Sequence, residues 1–230
     1  MLTETWFSNL EKNIPEDIRF AEGRILRQRP DFEDGIDFKL ERPFSSLGSD
    51  QIIKAVAFAL ERNWPAIEIA TLLSEEAKSR KPKVQRKIDM LFRDMGVEPI
   101  SWLAQARRSI NSVSYSYRSR GATASNYFVL LHRDGEYECY VGQTATTNLL
   151  SFNSRQEARI AQHFCNIRAS SHVKNHGYEP LWSLNCFTEK VRYANRVQAE
   201  TQYNISLSDL GIKVRGDRQT FNGEKQDQTQ

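Results

Sequence analysis

Residues 127 to 142 read YFVLLHRDGEYECYVG. An unbroken apolar run from Tyr127 to Leu131 meets Asp134-Gly135, and an alternation through Tyr137, Cys139 and Val141 follows. Asp-Gly between two such runs signals a two-residue hairpin loop, whose central residues both need positive φ. The stretch therefore predicts two antiparallel strands. Pairing brings Tyr127, near the start of the first, beside Tyr140, near the end of the second, so that two phenols share one sheet surface.

Downstream, Ser154 to Ile167 carries Ala158, Ala161, Phe164 and Cys165 at helical spacing, which predicts a helix. Arg159 and His163 are four apart and stack on one of its faces. Residues 180 to 187 (PLWSLNCF) alternate through Trp182, Leu184 and Cys186 and predict a third strand, with a helix from Thr188 to about Tyr203 after it. That helix carries Glu200, and Asn204 follows one turn later.

Upstream, Ser49 or Asp50 can cap a helix with Ile52, Ile53, Val56, Ala57 and Leu60 inward, ending near Asn63-Trp64-Pro65. Ala66 to Ala77 and Pro82 to Met95 predict two more helices; the second turns Val84, Ile88, Leu91 and Phe92 inward and is ended by Gly96. Residues 1 to 48 show no firm periodicity. The Ser, Tyr, Arg and Gly content of residues 109 to 126 reads as a tether, in which Tyr115, Tyr117, Arg118 and Arg120 could follow a nucleic-acid backbone. The resulting division is a mainly helical part over 1–110, a linker over 111–123, an α+β domain over 124–212 and a polar tail over 213–230.

The formal net charge is +3, but it is uneven. Residues 1 to 100 hold 16 basic and 18 acidic side chains, whereas residues 101 to 200 hold 12 and 7. The excess sits where the hairpin lies, as a phosphate-bearing partner would favour. Three cysteines, Cys139, Cys165 and Cys186, form no CxxC pair and indicate neither a disulfide framework nor a zinc knuckle. No apolar run is long enough for a bilayer and the N-terminus lacks an export signal, so the expectation is a cytoplasmic protein with no membrane partner.

The order of these features resembles the GIY-YIG nuclease family. Tyr140-Val141-Gly142, followed by Gln143-Thr144, is similar to the second tripeptide that names the family. Ser125-Asn126-Tyr127 keeps the tyrosine of the first tripeptide without its glycine; a register one residue later would put Phe128 there. Arg159 with His163 one turn on resembles the family's first helix, with an insertion over Thr146 to Asn153 and Arg155 as a weaker substitute. The resemblance implies a small three-stranded antiparallel sheet flanked by helices, preceded here by the helical residues 1–110. It implies a metal-dependent endonuclease that hydrolyses DNA with Mg²⁺ or Mn²⁺. Glu200 would hold the ion, with Glu189 as the rival, Arg159 would hold the scissile phosphate, and Tyr127 or Tyr140, supported by His163, would position or deprotonate water. A homodimer would supply the two sites of a double-strand cut.

Two other readings remain. Residues 50 to 95, with Lys83, Arg86, Lys87 and Arg93 on their last helix, could form a helix-turn-helix reader in a non-catalytic DNA-binding regulator. His172 and His176, with Cys165 or Cys186, could bind zinc, although an exposed solvated pair fits SSHVKNHGY better.

Overall fold

A computed structural model describes residues 37–54, 65–145, 154–164 and 168–216. The helical lead-in of residues 49–54 is within it; Val56, Ala57 and Leu60 lie outside the described residues, as do residues 1–36, Cys165 and the tail from 217 onward. Two helices match their predicted bounds, α1 (Ala66–Ala77) and α2 (Pro82–Met95), the latter with Pro82 in its first turn and Gly96 closing it at φ 63. Ile88 and Phe92 are buried on α2 as the apolar stripe requires.

Strands β1 (Ser125–Arg133) and β2 (Glu136–Thr144) form the hairpin, in a register that sets Tyr127 against Gly142 and Val129 against Tyr140. Asp134 and Gly135, at φ 52 and 82, form the loop, both in the positive-φ region that the two-residue turn demands. Seven consecutive residues of β1 are buried, because helices cover both faces of the sheet. That is why its sequence is an apolar run rather than an alternation.

The chain continues through α4 (Arg155–Phe164), α5 (Ser171–His176), β3 (Gly177–Pro180), a helical turn α6 (Trp182–Asn185), a 3₁₀ turn at Tyr193–Asn195, α7 (Arg196–Ser208) and β4 (Val214–Arg215). Before β1 runs α3 (Leu103–Ser114). The sheet order is β3-β1-β2-β4, with β4 parallel to β2 and the other pairs antiparallel. No helix among the described residues is long and apolar enough to cross a membrane.

Four features differ from the sequence reading. The predicted strand over Pro180 to Phe187 is shifted: β3 ends at Pro180, and Trp182–Asn185 is helical. Residues 181 to 188 are all buried, so their apolar content reflects enclosure rather than a strand face. The Asn185 side chain accepts the Phe128 N–H (2.7 Å) and the Leu181 N–H donates to Phe128 O (3.1 Å), consuming the groups a longer β3 would use. The following helix begins at Arg196 rather than Thr188, since Val191 is held extended by bridges to Arg118 and Ala124. The sheet has four strands rather than three; β4 is two residues long, too short for an apolar pattern, and is fixed by Cys139 N–H donating to Lys213 O (2.9 Å) and by the Arg215–Glu138 ion pair. Residues 109–114, read as tether, complete α3: the buried Ile110 continues a stripe begun by Leu103 and Ala106, upstream of the Ser-rich window.

The helices of residues 66–114 share one contiguous hydrophobic core with the sheet. Across it runs a reciprocal exchange of buried carboxylates. Glu179, on β3, accepts the N–H groups of Ile67 (3.2 Å) and Glu68 (2.6 Å) at the start of α1. Glu68 in turn accepts the N–H groups of Trp182 (3.0 Å) and Ser183 (2.8 Å) and the Ser183 hydroxyl (2.7 Å) at the start of α6. Each carboxylate satisfies N–H groups that a helix leaves open at its N-terminus.

Burial pushes Glu68 up to about 7 and Glu179 up to about 8, each partly offset by its donors, and the nearby Glu68 charge adds to the rise at Glu179. Both groups hold a proton more tightly folded than unfolded. Their contribution is therefore fully present below the ordinary carboxyl value of 4.5 and is lost as pH rises through about 7 and 8. The melting temperature should fall by several degrees between pH 5 and about pH 8.5, and Glu179→Gln should flatten that profile; calorimetry across the range checks it.

Candidate active site

Side chains alternate along the hairpin. Tyr127 and Tyr140 therefore share one face of the sheet, while Phe128 points to the other, where its ring meets Tyr203 of α7 at 5.7 Å. The register so places Tyr127 rather than Phe128 beside the second phenol. His163 of α4 completes a mutual cluster, with ring centroids 6.0 Å apart for Tyr127–Tyr140, 5.6 Å for Tyr127–His163 and 5.9 Å for Tyr140–His163. All three side chains are buried.

The Tyr127 hydroxyl lies 2.6 Å from His163 Nε2, and the Ser170 N–H donates to His163 Nδ1 at 3.0 Å. A backbone N–H can only donate, so Nδ1 accepts and the proton of the neutral ring sits on Nε2, directed at the tyrosine oxygen. Tyr127 is thus an acceptor towards the imidazole, and its own proton points away from it.

Gly142 makes this arrangement possible. A Cβ there would lie 2.5 Å from both Cζ and Oη of Tyr127, so the phenol lies directly across the glycine. The ring reaches over β2, toward the side of the sheet where β4 runs.

Glu200 comes from α7, under the opposite face, and is buried. Its Oε1 approaches the edge of β2 beyond the end of β4: a Cβ built on Gly216 would be 3.7 Å from it, 3.6 Å from Asn204 Nδ2 and 3.4 Å from Val141 O. Glu200 and Val141 O thus both lie close to Gly216, at the β4 side of β2. Glu189 is on the other flank, where its carbonyl accepts the Ser125 hydroxyl (2.6 Å) at the β3 side of β1.

Arg159 stands one turn before His163 at the half-buried margin of α4, with its guanidinium donating to Arg168 O (2.9 Å) and Gln162 Oε1 (3.2 Å). Those two bonds use two of its five N–H groups. Arg155 lies one turn earlier along the same margin. Of the predicted set, the fold thus brings Tyr127, Tyr140 and His163 together and sets Arg159 on the helix that carries His163, while Glu200 lies under the opposite face of the sheet.

An ion at Glu200 would find hard oxygen donors. Besides the carboxylate there is Val141 O; Asn204 turns its Nδ2 toward the same point, and its Oδ1 is a buried acceptor without a hydrogen-bond partner among the described residues. Such a set suits a divalent cation that keeps several waters. No group of three or more His, Cys, Asp or Glu poised for a metal occurs among the described residues. In the zinc alternative, the Cys186 thiol lies 3.5 Å from both Phe38 O and Ser183 O, and Cys165 is outside the described residues.

Sequence reasoning missed two positioning groups. Gln156 is buried on α4 two turns before His163, and its amide donates to Asn126 O (2.5 Å), Asn185 O (2.8 Å) and Thr188 Oγ1 (3.1 Å), tying the helix to the start of β1. Its seven-residue spacing from His163 was the available signal. Ser170 acts through its backbone and left none. Compared with known proteins, the chain matches no family model, no curated protein and no solved structure.

Gly142→Ala would drive a methyl group into the Tyr127 ring. The expected cost is about 1–3 kcal/mol, with loss of the Tyr127–His163 bond. A lower denaturant midpoint together with altered His163 imidazole NMR signals checks it.

Proposed function

We propose that the chain is a metal-dependent endonuclease that hydrolyses DNA phosphodiester bonds at the Tyr127 cluster. The observation that carries this reading is the Ser170–His163–Tyr127 relay, which aims a proton at a buried phenolic oxygen with Arg159 one turn away and Glu200 at the adjoining strand edge.

In this mechanism a water oxygen bonds to phosphorus as the bond to the leaving oxygen breaks; the water's proton passes to Tyr127 as phenolate, and the leaving oxygen departs as an alkoxide that takes a proton from solvent. A free phenol near pKa 10 is a weak base at neutral pH. A hydrogen bond donated to the anionic form favours that form, and His163 Nε2–H is placed to donate it. Arg159 turns from the Arg168 carbonyl to the phosphate, where its planar fork matches two oxygens. Mg²⁺ or Mn²⁺ held by Glu200, with Asn204 and Val141 O, would supply charge neutralisation at the phosphate. Tyr140 closes the cluster and keeps the Tyr127 ring over Gly142.

A second reading is favoured by one observation: α2 turns Lys83, Arg86, Lys87 and Arg93 outward. Those side chains would suit a non-catalytic DNA-binding regulator built on residues 50–95.

Nicking of supercoiled plasmid with and without Mg²⁺ separates the two. Tyr127→Phe and His163→Ala should each slow nicking by about a hundredfold or more, and Glu200→Ala should abolish its dependence on the ion. Undiminished cutting by Glu200→Ala would sink the metal assignment, and binding with no nicking by the unaltered chain would favour the regulator.

A further inference from the structure

Two exposed tyrosines flank the seam where residues 115–124 meet residues 190–193. Arg118 and Ala124 each bridge to Val191, and the Ser119 N–H donates to Lys190 O at 3.2 Å. Beyond the seam, Tyr193 is 51 % exposed and carries the Arg196 guanidinium 3.6 Å above its ring centroid. Before it, Tyr115 is 72 % exposed and carries Arg118 at 5.0 Å. Arg120, Lys190 and Arg192, on the same two segments, are exposed, and neither residues 115–120 nor 190–197 contain an acidic side chain.

Cations of one sign set among presented aromatic rings form a surface for a chain of phosphates whose bases can stack. A duplex would use the cations alone, since its bases already stack on one another. Two rings held outward, each stiffened by a guanidinium, fit unpaired bases. The seam is tied to the start of β1: the carbonyl of Glu189, next to Lys190, accepts the hydroxyl of Ser125, two residues before Tyr127.

We propose that this seam binds single-stranded nucleic acid, its phosphates on the arginines and Lys190 and its bases on Tyr115 and Tyr193. The consequence for cleavage rests on the nuclease reading: the substrate would be DNA with an unpaired stretch beside the cut, such as a flap or fork.

Binding is measured on the full chain in EDTA, by fluorescence anisotropy of a labelled single strand and of the duplex of the same sequence. The single strand should bind more tightly. Tyr115→Ala and Tyr193→Ala should each weaken it about fivefold or more while leaving duplex binding unchanged, and Tyr193→Phe, which keeps the ring, should bind as the unaltered chain does. Equal affinity for the two forms, or alanine variants that bind the strand undiminished, would overturn the proposal. Nicking with Mg²⁺ is read separately. Tyrosine-dependent strand binding without nicking sinks the nuclease reading alone, and nicking with tyrosine-independent binding sinks this inference alone.

Discussion

The pairing of Tyr127 with Gly142 constrains the rest of the molecule. Strand β1 is covered on both sides over its first seven residues, so each of these is committed to one helix layer or the other. A slip by one residue would exchange the two layers, sending Tyr127 toward α7 and Phe128 toward His163. The phenol fits because the residue opposite has no side chain. Register, packing and chemistry are in this sense fixed at one cross-strand pair.

The carboxylate exchange between Glu68 and Glu179 does comparable work between layers. Each is separated by more than a hundred residues from the groups it caps. Neither makes an ion pair among the described residues; their support is the helix-terminal N–H groups, joined at Glu68 by the Ser183 hydroxyl. A buried carboxylate is costly, and this one pair spends that cost on fixing where α1 and α6 begin relative to β3. The helices of residues 66–114 are thereby aligned with the sheet by directional bonds as well as by apolar contact.

Legibility in the sequence followed range. The hairpin, α1 and α2 were readable because their signals are local: Asp134-Gly135, Pro82 and Gly96 each act on their own backbone. The pairing of Arg159 with His163 on one helix face was readable for the same reason. What escaped depended on partners far along the chain. The turn at Trp182–Asn185 exists where Glu68 caps it, and β4 exists because Glu138 and Cys139 hold it. Ser170 orients His163 through a backbone N–H, which no residue type encodes. The choice of Tyr127 over Phe128 needed the actual strand pairing, since both residues suit a buried strand equally well.

The shortest strand has a consequence out of proportion to its size. All five candidate catalytic side chains precede residue 201, so a chain trimmed after Leu210 would retain each of them. It would nevertheless lose Val214 and Arg215, and with them the cover on the outer edge of β2 at Cys139 and Tyr140. Bare strand edges recruit other strands. A trimmed chain would thus keep every candidate side chain yet gain an adhesive flank, which makes this two-residue strand a guard against self-association.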